Sequence, residues 1–367
     1  MRRINLMQPY VTPGMRAAAA ATLRTRWIGQ GPRVDEFERE FSKLMDGAEC
    51  VATSSCTAAL HLAYILAGIK PGDEVVAPLF TCTATNIPLL YCGAKIRFYD
   101  VAPGSLNGNR ETIAESMTER TKAVVVVHYG GQTVPLPSAA MPLIQDCAQA
   151  LGGDNERCFG DYACYSFQAV KHVTTGDGGM LVLKRGHVNY GIVGIDEATK
   201  VRRMRWFGID RQAKLEGTWA NDITEVGYKY QMTDIAASMG IASLKSLYHQ
   251  ISHRRALRAR YIELLRGLLS VQVLDQDPGS ACWLCTIRVG DSREDFIKML
   301  ASHGIESGQV HYRNDRYSIF RERLTLSEVR EFPNMDAMEK HYLVLPMHMG
   351  MRLEDVDRVC EAIKGGW

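Results

Sequence analysis

Four short segments of this chain carry residue types that could do chemistry together. The first, Ser54-Ser-Cys-Thr-Ala-Ala-Leu-His-Leu62, puts small hydroxyl residues ahead of an apolar helical run. Free backbone N–H groups and the helix dipole at such a start favour a phosphate; an ordinary N-cap is the plainer reading of the same residues. The second, Asp146-Cys-Ala-Gln149, sets a carboxylate directly after an apolar stretch. A sheltered carboxylate there needs a cationic partner or several donors, although Asp also caps turns and helices. The third runs from Gly160 to Gly179 and holds a single lysine, Lys171, ahead of the turn Gly176-Asp-Gly-Gly179. A lysine in a partly dry site suits Schiff-base chemistry; a solvated surface lysine is the everyday alternative. The fourth, Gly227-Tyr-Lys-Tyr-Gln-Met-Thr-Asp234, is an aromatic and basic turn leading into a helix, suited to interface packing or to a second anion contact.

The elements that must hold these segments alternate. Apolar spacing and end signals predict helices over residues 32–46, 57–66, 83–91 and 111–117, and strands over 74–79, 95–99 and 123–127. The run Ala123-Val-Val-Val-Val127 suits a strand buried on both faces. Short strands follow at 142–145, 165–167 and 179–183. Such alternation means βαβ units and a mainly parallel sheet, with ligands beyond the carboxyl ends of its strands. Asp146 and Lys171 both follow predicted strands. From residue 237 to about 268 the texture becomes one long basic helical stretch; strands at 271–274 and 283–289 and helices at 293–303 and 353–363 then read as an α+β lobe. The expected division is 1–245 for a large domain and 246–367 for a small one.

Composition narrows the function. The chain has 367 residues, 43 Lys+Arg against 41 Asp+Glu and a net charge of +2, too near neutral for nucleic acid to be its main partner. No apolar run approaches the roughly 20 residues of a membrane span, and the start Met1-Arg-Arg-Ile-Asn-Leu-Met lacks the apolar core of a secretory signal, so a cytoplasmic location is expected. Cys282-Trp-Leu-Cys285 is the only CxxC, without a second pair at metal-ligand spacing; a core strand is expected there and no metal. No G-x-G-x-x-G follows the first strand, which sets aside a nicotinamide-dependent enzyme.

In this order and spacing the phosphate turn, Asp-x-x-Gln, Ser-Phe-x-x-x-Lys, Gly-Asp-Gly-Gly and Gly-Tyr-Lys-Tyr-x-Met-Thr-Asp resemble the DegT/DnrJ/EryC1/StrS family of pyridoxal-phosphate-dependent sugar aminotransferases. The likeness runs from Trp27-Ile-Gly-Gln-Gly-Pro32 to Leu345-Pro-Met-His348. It implies an α/β chain of the fold-type I transferase class, with a mainly parallel sheet in the large domain and a smaller α+β C-terminal domain. It also implies pyridoxal 5′-phosphate as cofactor and a homodimer with active sites at the subunit interface. By that resemblance Lys171 would hold the cofactor as a Schiff base and then serve as acid and base, while Asp146 would pair with the pyridine nitrogen. Gln149 would lie near the ring; Cys56, Thr57 and Ser166 would cradle the phosphate. Lys229, at a position often Asn in the family, would reach the phosphate from the partner subunit.

The chain also departs from the family pattern. Cys56 stands at a usual glycine, and Cys82 where an aromatic usually stacks on the ring. Only 17 residues, Pro135 and Pro137 among them, separate His128 from Asp146, so the crossover helix is expected to be reduced or absent. One branch of the family has histidine in place of the lysine and removes a sugar hydroxyl; with Lys171 present, transamination is expected, and His172 should pack or hydrogen-bond nearby.

The resemblance implies transfer of an amino group from L-glutamate to a nucleotide-linked keto-sugar. The alternatives are a keto-cyclitol or small keto-phosphate as acceptor, or a cofactor-binding regulatory protein with little turnover. His311 and Tyr312, in a loop that reads equally as polar surface, are the substrate-side candidates, together with Trp27. Residues 202–211 combine four arginines with two aromatics, suited to a diphosphate or a base, or simply to a solvated basic face.

Overall fold

The computed structural model describes residues 2–137, 140–154, 160–183, 196–218, 220, 222–274, 277–290, 292–323 and 331–366. In chain order its strands are β1 (Glu49–Thr53), β2 (Glu74–Pro78), β3 (Phe80–Thr81), β4 (Lys95–Tyr99), β5 (Thr121–Val127), β6 (Leu143–Asp146), β7 (Tyr162–Ser166), β8 (Gly179–Leu183), β9 (Val271–Val273), β10 (Cys285–Val289), β11 (Tyr312–Arg313) and β12 (Tyr342–Leu345). Seven of them form the main sheet in the order β1-β8-β7-β6-β5-β2-β4. Neighbours from β4 through β7 pair in parallel, whereas β8 runs antiparallel to both β7 and β1. The valines of β5 are buried on both faces, as a β-branched run without polar alternation requires.

The helix Cys56–Leu66 has almost no polar face and is accordingly buried nearly all round, packed against β7 and β8. The helix Pro13–Leu23, an alanine-rich segment without apolar periodicity, packs on the helix Asp234–Leu244. Four expectations shift. The strand expected at 165–167 runs Tyr162–Ser166. The predicted helix at 111–117 spans only Arg110–Ala114. The basic stretch from 237 is two helices, Asp234–Leu244 and Leu247–Leu265, broken where Ser246 turns its hydroxyl and its N–H back onto the Ser243 carbonyl. Finally, β10 begins only at Cys285, because the residues just before it are bonded elsewhere: Ala281 N–H donates to Gly131 O and Trp283 N–H to Gly130 O, both at 2.9 Å.

Those two glycines belong to the short β5–β6 connection. Its described residues hold no α-helix, only the turn Tyr129–Gly131, yet β5 and β6 pair in parallel. Gly130 and Gly131 have φ of 72° and 90°, and a Cβ on Gly131 would lie 2.9 Å from the Cys282 nitrogen. The missing crossover helix thus leaves a bare backbone corner against which the C-terminal lobe docks.

That lobe is the sheet β12-β10-β9 with the helices Arg293–Ser302 and Leu353–Gly366, around a core including Ile287, Leu343, Val356 and Ile363. Ile4 joins this core, and its N–H donates to Gly304 O at 2.9 Å. The lobe returns to the main sheet through β11, which pairs with β3, Tyr312 opposite Thr81.

Asp234 fastens the far side. Its buried carboxylate accepts from the N–H groups of Gly31, Arg33 and Val34 at 2.7, 3.1 and 3.1 Å, capping the helix Pro32–Leu44 from 200 residues away. Asp234→Ala should therefore lower stability by about 1–2 kcal/mol, the upper range for a lost cap, seen as a fall of a few degrees in the thermal midpoint.

Candidate active site

The carboxyl end of β6 delivers Asp146, which is 4% exposed. Its Oδ2 accepts from the Thr85 hydroxyl at 2.7 Å and its Oδ1 from the Ala148 N–H at 3.0 Å. Thr85 is itself bonded to the Thr81 hydroxyl at 2.7 Å, so the support runs back into β3. Burial raises the carboxyl above its usual value, against the lowering effect of these two donors and of Lys171. Among the described residues no cation stands within ion-pair distance of it.

Lys171 lies in the turn after β7, half-buried. Burial lowers its pKa to about 8, with Asp146 acting in the opposite sense. His172, next to it, is buried and bonded through Nε2 to Ala281 O at 2.9 Å, with its pKa pushed well down by burial. That is packing beside Lys171, in line with the expectation for this residue.

Ser55 caps the helix Cys56–Leu66, its hydroxyl accepting from Ala58 N–H at 3.1 Å. The plain N-cap is therefore present, and the first N–H groups, those of Cys56 and Thr57, still point out of the helix end. Burial and the Asp146 charge push the Cys56 thiol well above its usual pKa, so it stays neutral. Gly179, paired with Ser166 across β7 and β8, lies so close to this turn that a Cβ would come within 2.4 Å of the Ser55 carbonyl carbon.

Gln149 is buried between two partners. Its Oε1 accepts from Gly130 N–H at 2.6 Å, and its Nε2 donates to His311 Nε2 at 2.9 Å. Burial, aided by the Lys171 charge, takes His311 down to about 3, so it is neutral. Cys82 precedes the helix Thr83–Tyr91, close enough to bear on the charge of Lys171. Tyr312 is adjacent through β11 and half exposed. Asp146, Lys171, Cys56, Cys82, Gln149 and His311 thus lie together, linked by hydrogen bonds and mutual charge effects. Lys229 and Trp27 are exposed, and among the described residues no hydrogen bond or ion pair joins either to that cluster.

The four arginines of residues 202–211 line a pocket of about 340 Å³, but each is already engaged within the chain. Arg205 is buried on Glu38 at 2.5 Å, Arg203 pairs with Asp210 at 2.6 Å, Arg202 with Glu49 at 3.2 Å, and Arg211 donates to Gln30 O at 2.7 Å. Among the described residues no group of His, Cys, Asp and Glu is placed to hold a metal ion, and no helix is long and apolar enough to cross a membrane. Sequence reading missed Thr85 and Trp283, whose ring centroid lies 3.6 Å from Lys171 Nζ; Trp283 lies inside the CxxC run, which pointed to a core strand and gave its ring no role.

Pyridoxal 5′-phosphate fits these residues: the unpaired buried carboxylate suits a protonated ring nitrogen, the helix end suits its phosphate, and the half-buried amine suits its aldehyde. A seven-stranded α/β sheet carrying this set defines a pyridoxal-phosphate-dependent transferase of fold type I. The model of the DegT/DnrJ/EryC1/StrS aminotransferase family matches residues 11–364, and the chain belongs to that family. It is 29% identical to the spore coat polysaccharide biosynthesis protein SpsC of Bacillus subtilis, over 94% of this chain and 92% of that protein. It is also 29% identical to the UDP-4-amino-4-deoxy-L-arabinose–oxoglutarate aminotransferase of Shewanella sediminis, over 98% and 96%. The crystal structure of the sugar aminotransferase CalS13 from Micromonospora echinospora superposes with a TM-score of 0.87 at 29% identity, covering 99% of this chain and all of that one.

Thr85→Val should leave the Asp146 carboxylate short of a donor and cost about 1–3 kcal/mol, measured as a lower thermal midpoint together with weaker cofactor retention on dialysis.

Proposed function

We propose that this sugar aminotransferase moves an amino group from L-glutamate to a nucleotide-linked keto-sugar, with Lys171 and Asp146 as its catalytic residues. The observation that carries the reading is Lys171 beside a buried carboxylate that has no cation of its own. The name of the Shewanella sediminis relative supports the substrates: it pairs a UDP-linked amino sugar with oxoglutarate, the keto acid that glutamate becomes on giving up its amine.

Bound pyridoxal phosphate supplies a carbonyl that joins amines and a ring that takes up an electron pair. The remaining work falls to the chain. Asp146, held by Thr85 and Ala148, keeps a proton at the ring nitrogen, which makes the ring the better electron acceptor. Lys171, which releases its proton near pH 8, takes a proton from the amine-bearing carbon and returns it. Cys56, Thr57 and Ser166 bind the phosphate. Gln149 orients the neutral His311, and His311, Tyr312 and Trp27 meet the sugar substrate. Residues 1–245 serve as the cofactor-binding domain, and 246–367 as the small domain that presents His311 to it.

The enzyme acts in the cytoplasm as a homodimer with shared sites, Lys229 of each subunit serving the other's phosphate. The exposed Phe207, Ile223 and Val226 around Lys229 support this, since apolar residues gathered near an exposed cation suit burial against a second copy.

Two measurements test the reading. L-glutamate should bleach the long-wavelength absorbance of the loaded protein and raise that of the aminated cofactor. Lys171→Ala should abolish this exchange and Asp146→Asn should slow it by a factor of about 10² or more; normal exchange in either variant would overturn the assignment. Lys171→Ala and Lys229→Ala chains, each inactive alone, should regain about a quarter of wild-type activity when co-expressed, because half of randomly formed dimers then hold one intact site.

A further inference from the structure

Among the described residues Lys171 Nζ takes part in no hydrogen bond or ion pair. The carboxylate nearest in charge, Asp146, is already engaged by Thr85 and Ala148. What the ammonium does meet is the face of Trp283, 3.6 Å from the ring centroid. That ring is 5% exposed and fixed from several directions. Its indole N–H donates to Val170 O at 3.2 Å, the carbonyl just before Lys171. Its backbone N–H donates to Gly130 O at 2.9 Å, and its carbonyl accepts from the buried Arg254 at 3.2 Å. His311 stacks alongside, with centroids 6.4 Å apart and planes 18° from parallel. A cation over an indole face is attracted by the ring quadrupole, most strongly where water is scarce.

We propose that Trp283 is a positioning residue that receives the Lys171 ammonium whenever that side chain carries no covalent bond, holding Nζ on its indole face inside the site. The inference rests on the reading of Lys171 as the cofactor lysine. A lysine that is released and re-engaged in each cycle needs a resting place that neither ties it in an ion pair nor lets it leave for solvent. An aromatic face does both, because it attracts the ammonium without accepting its proton. It also opposes burial: desolvation favours the neutral amine, while the ring favours the cation.

The test is competitive labelling with acetic anhydride, from about pH 6 to about pH 11 so as to bracket a lysine with a lowered pKa, on the full-length chain without added cofactor. Acetylation of the Lys171 peptide is read by mass spectrometry. Wild type, Trp283→Phe and Trp283→Leu are compared, with circular dichroism to confirm folding. Phe keeps a face but loses the indole N–H; Leu keeps burial but has no face. The half-point of Lys171 labelling should fall from wild type to Phe to Leu, the last by about half to one pH unit. A Leu variant that labels like wild type or at higher pH would overturn the proposal. So would equal shifts in Phe and Leu, which would assign the effect to the lost N–H bond. Should the Leu variant not fold, a Phe half-point no lower than that of wild type would equally sink it. The reading of Lys171 is checked separately, by borohydride reduction of the loaded enzyme and location of the labelled lysine, so the two can fail independently.

Discussion

The structure turns on a carboxylate buried at the end of a parallel strand without a cation beside it. Such a group is costly unless donors or a charged ligand meet it. Asp146 has two donors, and one of them, Thr85, is held by Thr81 in β3. The other strand of that small ladder, β11, leads directly from His311 to Tyr312. Asn314 strengthens the link, its side chain donating to Thr81 O at 2.9 Å and accepting from Asn86 at 2.9 Å. The support of the carboxylate and the placement of the loop beside it are thus one construction. A disturbance of β3 would be felt at both.

A second dependence runs through the β5–β6 connection. Where a crossover helix would cover the sheet, this chain has a glycine corner whose carbonyls bond Ala281 and Trp283 and whose Gly130 N–H bonds Gln149. Glycine is needed at residue 131 because φ is positive and the Cys282 nitrogen leaves no room for a Cβ. The C-terminal lobe therefore docks through backbone contacts that fix Trp283 directly, while His311 is tied to the same corner through the Gln149 side chain. A shortened connection that looks like a loss has become the surface on which one wall of the site is built.

Much of this was legible in sequence. The valine run of β5 and the strand positions before Asp146 and Lys171 follow from composition and spacing, because strands buried on both faces are apolar without alternation. The family signature put Asp146, Gln149 and Lys171 together, and the fold brings them near one another. Other features left no local trace. The break at Ser246 comes from a serine hydroxyl choosing a carbonyl, in a stretch that reads as continuous helix. Trp283 reads as a core residue in a strand-like run, and its meeting with Lys171 depends on a corner some 150 residues upstream. Thr85 looks like any threonine near a helix start. Asp234, read as the end of an aromatic and basic turn, proves to cap a helix distant in sequence.

The arginines of residues 202–211 show how charge in sequence and charge available to a ligand come apart. Four cations in ten residues suggest an anion site, but the buried Arg205 must be paired where it lies, and the partly exposed Arg202 and Arg203 are paired too. Glu38 sits beneath Arg205, Asp210 follows Arg203 by one helical turn and a bend, and Glu49 meets Arg202 from the start of β1. These pairs join the helix Pro32–Leu44 and β1 to the helix Glu197–Met204, so the arginines hold elements together. Under the function proposed above, a phosphate is then left to the backbone N–H groups ahead of the Cys56–Leu66 helix, which need no net charge to attract an anion, and to the exposed Lys229 of a second copy. A net charge of only +2 is consistent with such a division, because that proposal has the anion met by geometry at one helix end and not by a basic surface.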